Sequence, residues 1–213
     1  MRSRTSKSVL LYTLKELDSS LELTARADVW HNNLHHLSNA RFKNSHFYQI
    51  VELAFLKSFL SWESFLEEAF TLYLLGQRAP SGYKPICYAT PINRQHATDL
   101  LVAEARYCDW TVADRVIERA KRFFKQGKPF VTAVQPHIHL LNNVKTIRNA
   151  ITHASDEAEE KFRSLVRNEL TYYPAAMAPG SFLMTVKPNL SPPKRYFQIY
   201  TEAIQLMVQT IVP

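Results

Sequence analysis

Four glycines in 213 residues, long runs free of glycine and proline, and apolar positions recurring every three to four residues predict an all-α fold. At 46% hydrophobic, the chain can bury one substantial core, so a single domain spanning residues 1–213 is expected. The first helix is expected from Ser8 to Asn39, with Leu10, Leu14, Leu17, Leu21, Leu34 and Leu37 on its apolar side and a break near Asp18-Ser19-Ser20. A turn at 41–45 would send the chain back. Asn44 or Ser45 would cap a second long helix, His46 to Leu75, closed by Gly76. Val51, Phe55, Phe59, Trp62, Leu66, Ala69 and Tyr73 form the buried stripe of that helix, and the two long helices run antiparallel.

Pro80, Gly82, Pro85 and Pro91 make residues 77–91 a loop. Helices are expected over Arg94–Tyr107 and Val112–Gln126. Another starts at Pro136, which suits a first turn, and runs to His153. Ser155 or Asp156 would cap a helix over Glu157–Leu170, whose acidic first turn complements the helix dipole. Five prolines and one glycine make residues 174–193 mostly extended loop, with a short strand over Phe182–Val186. Tyr196–Val212 is the last helix. The expected architecture is a helical bundle with one loop-rich insertion before its final helix.

Charge and cysteine usage narrow the function classes. A net charge of +7 fits a phosphate-rich partner and would steer it by long-range attraction. Cys87 and Cys108 offer neither a disulfide framework nor Cys-x2-Cys metal spacing, so a reduced, cytoplasmic setting is expected. The N-terminal residues lack the apolar run of a signal peptide. The most apolar stretch, Leu53 to Leu75, carries Lys57, Glu63, Glu67 and Glu68, which argues for a core helix and against a membrane span.

The segment that carries chemistry is Arg148-Asn149-Ala150-Ile151-Thr152-His153. On a helix, Asn149 and His153 share a face, and Arg148 and Thr152 share the adjacent stripe. Arginine neutralises a phosphate, histidine moves protons near neutral pH, and asparagine hydrogen-bonds without charge. Those groups suffice for cleaving an RNA phosphodiester without a metal. Spacing alone does not single this segment out, since Arg26…His31 and Arg41…His46 repeat it. Context does: an Asn follows the Arg, apolar residues precede it and acidic residues follow. The competing structural reading is a helix end where Arg and His cap carbonyls.

Other polar clusters carry weaker signals. Arg115, Arg119 and Arg122 share a helical face and, with Lys125, form a candidate RNA-backbone contact. The same helix reads equally as a solvated amphipathic one built on Val116, Ala120, Phe123 and Phe124. His137 and His139 diverge on a helix, and His31, His35 and His36 lack a third ligand, so no metal site is expected. Tyr172, Tyr173 and Tyr196 lie near loops, where they could stack bases.

Together, Ile147 to His153, Ser61-Trp62-Glu63-Ser64-Phe65-Leu66-Glu67, Arg106-Tyr107-Cys108-Asp109-Trp110 and Gly127-Lys128-Pro129-Phe130 resemble the HEPN superfamily, most closely its RiboL-PSP-HEPN branch. Residues 147–153 match that branch's Arg-Asn-x3-His pattern, with Thr152 where Ala is more usual. The resemblance spans about residues 45 to 186. It implies a four-helix core with added helices, a homodimer that joins two motifs in one cleft, and a metal-independent endoribonuclease without cofactor. Such proteins act as toxins or anti-phage effectors, which implies an antitoxin or defence-complex partner. Some members are non-catalytic modules binding RNA, nucleotide or protein, and that is the alternative. The expected catalytic set is Arg148, Asn149 and His153. Glu63 is expected to pair with Arg148 and fix its rotamer, with Glu67 as substitute.

Overall fold

The computed structural model describes residues 4–34, 43–102 and 108–213. Its α-helices are α1 (Ser6–Leu34), α2 (Asn44–Leu74), α3 (Arg94–Val102), α4 (Ala113–Phe123), α5 (Phe130–Val134), α6 (Ile138–Thr152), α7 (Asp156–Leu170), α8 (Pro179–Met184) and α9 (Tyr196–Ile211). Short 3-10 turns cover Lys125–Gly127 and Gln135–His137. No strand occurs among the described residues; only the isolated bridges Cys87–Phe124 and Val186–Arg195 pair extended backbone. The protein is all-α. Several expectations lie outside the described residues: the end of the first helix (Leu37, Asn39), Arg41 in the turn, the pair His35 and His36, and Arg106 and Tyr107 at the end of the third helix.

The chain divides into two compact units. The first comprises Met1–Lys15, Ser61–Asn142 and Ala203–Pro213, and the second Glu16–Leu60 and Asn143–Glu202. In the first unit, an aromatic cluster forms the centre. Phe70 stacks on Phe130 at 3.7 Å between centroids, and Trp110 and Phe124 close on Phe70 at 4.9 and 5.4 Å. Tyr73 packs edge-on against Phe130, and its hydroxyl donates to the Ile211 carbonyl at 2.6 Å, which satisfies the one polar atom it buries. Tight turns hold the cluster. Gly127 has φ +68°, and a Cβ there would meet Val131 Cγ2 at 2.3 Å, so only glycine fits between α4 and α5.

In the second unit, Glu16 pairs with Lys57 at 2.9 Å and His31 stacks on Phe47, so this part of α1 runs antiparallel to α2. Phe182 stacks on Tyr196 at 4.4 Å and meets Phe162 edge-on at 6.0 Å, which joins α7, α8 and α9. Phe55 of α2 packs edge-on against Phe197 and Tyr200 of α9. Glu169 accepts from Asn143 Nδ2 at 2.9 Å and Lys187 Nζ at 3.0 Å, tying α7 to α6 and to the segment before α9.

The expected α2 stripe is borne out: all seven of its residues are buried. Gly76 closes α2 as expected, at φ +80°, with Gly76 N–H donating to Tyr73 O and Gln77 N–H to Leu72 O. That is the paired-bond C-terminal motif in which the left-handed residue is normally glycine.

Three expectations need correction. Helix α1 does not break near Asp18-Ser19-Ser20, because the Ser20 hydroxyl folds back onto the Glu16 carbonyl at 3.0 Å and so satisfies itself within the helix. Its buried face is not the leucine stripe alone: Ser6, Val9, Thr13, Leu17, Ser20, Thr24 and Ala27 are buried, while Leu10, Leu14 and Leu21 are only half-buried. Small hydroxyl side chains can occupy that face because Ser20 and Thr24 bond to carbonyls four residues back. Finally, the strand expected over Phe182–Val186 is mostly helix α8. Phe182 and Leu183 are adjacent and both fully buried, which the alternation of a strand would forbid on a one-sided core. The extended pairing lies one step later, with Val186 bridging Arg195 and Lys187 N–H donating to Lys194 O at 2.9 Å.

Candidate functional site

Helix α6 reaches Thr152, and His153 follows while its N–H still donates to Asn149 O at 2.9 Å. The helical bond therefore sets where the histidine ring hangs. Ile147, fully buried, anchors the turn just before Arg148 and Asn149, which are half-buried. His153 is exposed. Arg148 Nη1 donates to Asn149 Oδ1 at 3.1 Å and lies 3.2 Å from His153 Nε2. A guanidinium has donors only, so this contact makes Nε2 the acceptor and puts the imidazole proton on Nδ1. Thr152 donates its hydroxyl to the Arg148 carbonyl at 2.9 Å, which folds it back onto the helix. One guanidinium thus gathers all three motif side chains at the helix end.

The chain then turns directly into α7. Ser155 caps it, its hydroxyl accepting from Ala158 N–H at 3.3 Å, as expected. Glu157 pairs with Lys161 and Glu159 with Arg163 on the exposed side. The Lys161 ammonium beside Glu157 holds its carboxyl below the usual carboxylate range. Against His153 opens a cleft of about 410 Å³, whose lining includes His153, Asp156, Glu159, Phe162, Tyr173 and Met177. The sequence signal for this cleft was partial. The sequence places Tyr173 as an aromatic near a loop, but nothing in spacing connects it to His153.

The remaining candidates are placed as follows. Glu63 sits on α2 in the first unit, half-buried, and Glu67 one turn later is exposed. Arg148 belongs to the second unit. On α4, Arg115 is exposed and pairs with Asp109 at 2.8 Å, while Arg122 is exposed and Lys125 lies exposed in the following 3-10 turn. Arg119 is different. Its guanidinium lies 4.5 Å above the Trp110 ring and is half-buried, so it serves the α4 packing as a cation over an aromatic face. Tyr196 is 1% exposed, which rules it out as a base-stacking surface.

The two other Arg-x4-His segments have different surroundings. Arg26 pairs with Glu22 and His31 stacks on Phe47. His46 Nδ1 accepts from the Lys43 N–H at 3.3 Å, and Arg41 lies outside the described residues. His137 Nδ1 donates to the Ala133 carbonyl at 3.0 Å, a helix-end cap. Among the described residues no three His, Cys, Asp or Glu side chains gather as a metal site. Cys87 and Cys108 are half-buried thiols bonded to the carbonyls of Tyr73 and Leu101, and burial pushes both up from the usual thiol range. No helix among the described residues is long and apolar enough to cross a membrane.

Fold and site together define a class, an all-α protein with an Arg-Asn-x3-His motif assembled at an exposed helix end. Comparison with protein-family models, with curated proteins and with solved structures gave no match.

Proposed function

We propose that this protein is a metal-independent endoribonuclease of the HEPN type, cleaving RNA by attack of a ribose 2′-OH on the adjacent phosphate. The observation that carries the reading is the 3.2 Å contact between Arg148 Nη1 and His153 Nε2 at an exposed helix end, with Asn149 on the same guanidinium. A helix end that used Arg148 and His153 only as caps would spend those donors on backbone carbonyls. Here the arginine points at the imidazole instead.

In the free protein, the guanidinium occupies the Nε2 lone pair. A substrate phosphate offers Arg148 a charge-assisted and therefore stronger partner. Drawing the guanidinium onto the phosphate releases Nε2, which accepts the 2′-OH proton as general base. The 2′-oxygen bonds to phosphorus, the bond from phosphorus to the 5′-oxygen breaks, and the leaving oxygen takes a proton. Arg148 stabilises the charge that builds on the phosphorane-like transition state. Asn149 orients the guanidinium. The products are a 2′,3′-cyclic phosphate and a 5′-OH end. The proton for the leaving oxygen requires a second acid, and His153 of a second copy would supply it in a homodimer.

An enzyme of this kind would be a toxin or an effector of anti-phage defence, held in check by an antitoxin or by a defence-complex partner. The test is induced expression of wild type beside Arg148→Ala and His153→Ala, followed by growth and total-RNA integrity. The expected result is arrest and RNA fragmentation with wild type only. In purified protein, His153→Ala should cleave on the order of 10²–10⁴-fold more slowly, the usual worth of a positioned proton-transfer group, and Arg148→Ala on the order of 10²–10³-fold more slowly, the usual worth of a donor to transition-state charge. Cleavage should persist in excess chelator. Equal cleavage by folded His153→Ala would overturn the reading.

A further inference from the structure

The cleft against His153 is unsuited to phosphate and well suited to a base. Asp156 and Glu159 line it, so a phosphate placed there would face carboxylates in place of the Arg148 guanidinium. Phe162, Tyr173 and Met177 give it an apolar wall. Tyr173 is held in place: its hydroxyl donates to the Met177 carbonyl at 3.0 Å, and the Arg163 and Arg167 guanidinium groups lie 5.8 and 5.9 Å from its ring centroid. The volume, about 410 Å³, falls in the roughly 300–1,000 Å³ range of pockets that hold a small organic group.

The two carboxylates differ. Glu159 is engaged by Arg163. Asp156 is exposed on the first turn of α7 and makes no side-chain hydrogen bond or ion pair among the described residues. A carboxylate accepts only, and its two oxygens match an edge with two adjacent N–H donors. Among RNA bases, guanine alone has that edge, through N1–H and N2–H. Adenine and cytosine each pair one donor with a ring acceptor, and uracil flanks its single N–H with carbonyls. Either arrangement leaves an acceptor facing a carboxylate oxygen.

We propose that this cleft is a nucleobase subsite selecting guanine, with Asp156 as its specificity-determining residue and Tyr173 as its aromatic wall. The inference rests on the nuclease reading for the phosphate position at Arg148 and His153, and extends it to the identity of a nucleotide beside the cut.

The test is calorimetric titration of the protein with the four nucleoside 3′-monophosphates, none of which can be cleaved, alongside cleavage of a mixed-sequence RNA with its new ends sequenced. Guanosine 3′-monophosphate should bind tightest, by on the order of tenfold to a hundredfold, the discrimination a good bidentate base contact provides. Asp156→Asn should bring the four affinities together. Glu157→Gln, one residue on, should leave the preference intact. Equal affinities in the wild type, no binding of any of the four, or a preference that survives Asp156→Asn would each overturn the subsite. Guanine-selective binding without RNA cleavage would sink the nuclease reading while keeping the subsite. Cleavage without a guanine bias at the new ends would do the reverse.

Discussion

Gly180 is where helix α8 meets α2, and replacing it with alanine isolates that contact. A Cβ on Gly180 would stand 2.5 Å from the Tyr48 carbonyl oxygen and 2.8 Å from Tyr48 Cβ. Ordinary contact begins near 3.4 Å, so α8 must withdraw by about 0.9 Å, the difference between 3.4 and 2.5. The Gly180 N–H donates to Glu52 Oε1 at 2.9 Å, and the same withdrawal stretches that bond. Overpacking costs about 1–3 kcal/mol. A weakened hydrogen bond to a carboxyl group adds part of another 1.5–3 kcal/mol or so. Alanine returns about 0.4–1 kcal/mol by restricting the unfolded chain. The net expectation for Gly180→Ala is a loss of about 2–4 kcal/mol, or roughly 4–16 °C in Tm for a chain of this size. Urea unfolding followed by circular dichroism measures it. Because Pro179 and Met177 border the cleft against His153, the variant should also bind nucleotides more weakly. A loss below about 0.5 kcal/mol, the ordinary scatter of surface substitutions, would refute the packing of α8 on α2 described above.

Further expectations concern single residues. Glu52→Gln tests a titration: burial lifts the Glu52 carboxyl above its ordinary value of 4.5, against a smaller opposing pull from the Gly180 N–H. The folded state therefore favours the protonated form, and the stability this contributes is complete below the ordinary value and is lost as pH rises through the folded one. The Gln variant should gain on wild type as pH climbs from below the ordinary carboxyl value of 4.5 through the raised folded one, and a gap that does not move with pH would count against it. Ser155→Ala removes the N-cap of α7 and should cost about 1 kcal/mol, read by thermal denaturation; no change would mean the cap contributes nothing. Phe130→Ala opens the centre of the aromatic cluster in the first unit and should cost about 3–5 kcal/mol, with a much smaller loss showing that the ring stack is not central. Cys87 and Cys108, raised by burial, should react with a thiol reagent at neutral pH more slowly than a free cysteine, and more quickly only on unfolding.

Local patterns carried most of the helical layout. The α2 stripe, the Gly76 stop, the Ser155 cap and the final helix all depend on residues within a few positions of each other, and periodicity and capping chemistry read such features directly. The Arg148-to-His153 segment was legible for the same reason, because the helical period alone brings its side chains to one end of α6. Where local preference competed with burial, the reading failed. The apolar, β-prone run after Ser181 became helix because the adjacent Phe182 and Leu183 are both buried, Phe182 against Phe162 and Tyr196. The break expected near Asp18-Ser19-Ser20 is absent, and Ser20 and Thr24 instead lie on the buried face of α1, since each of those two hydroxyls is satisfied by a carbonyl four residues back in the helix.

What the sequence by itself determined was the all-α class and the motif, because both are set by chemistry repeating at the period of one helix. What only the tertiary structure decided was the surroundings of that motif. Tyr173 and Met177 reach the cleft from the segment beyond α7, and Arg119 leaves the basic face of α4 for the Trp110 ring. Those placements depend on where separate helices stop and turn, which is settled by packing between residues distant in sequence and leaves no periodic trace along the chain.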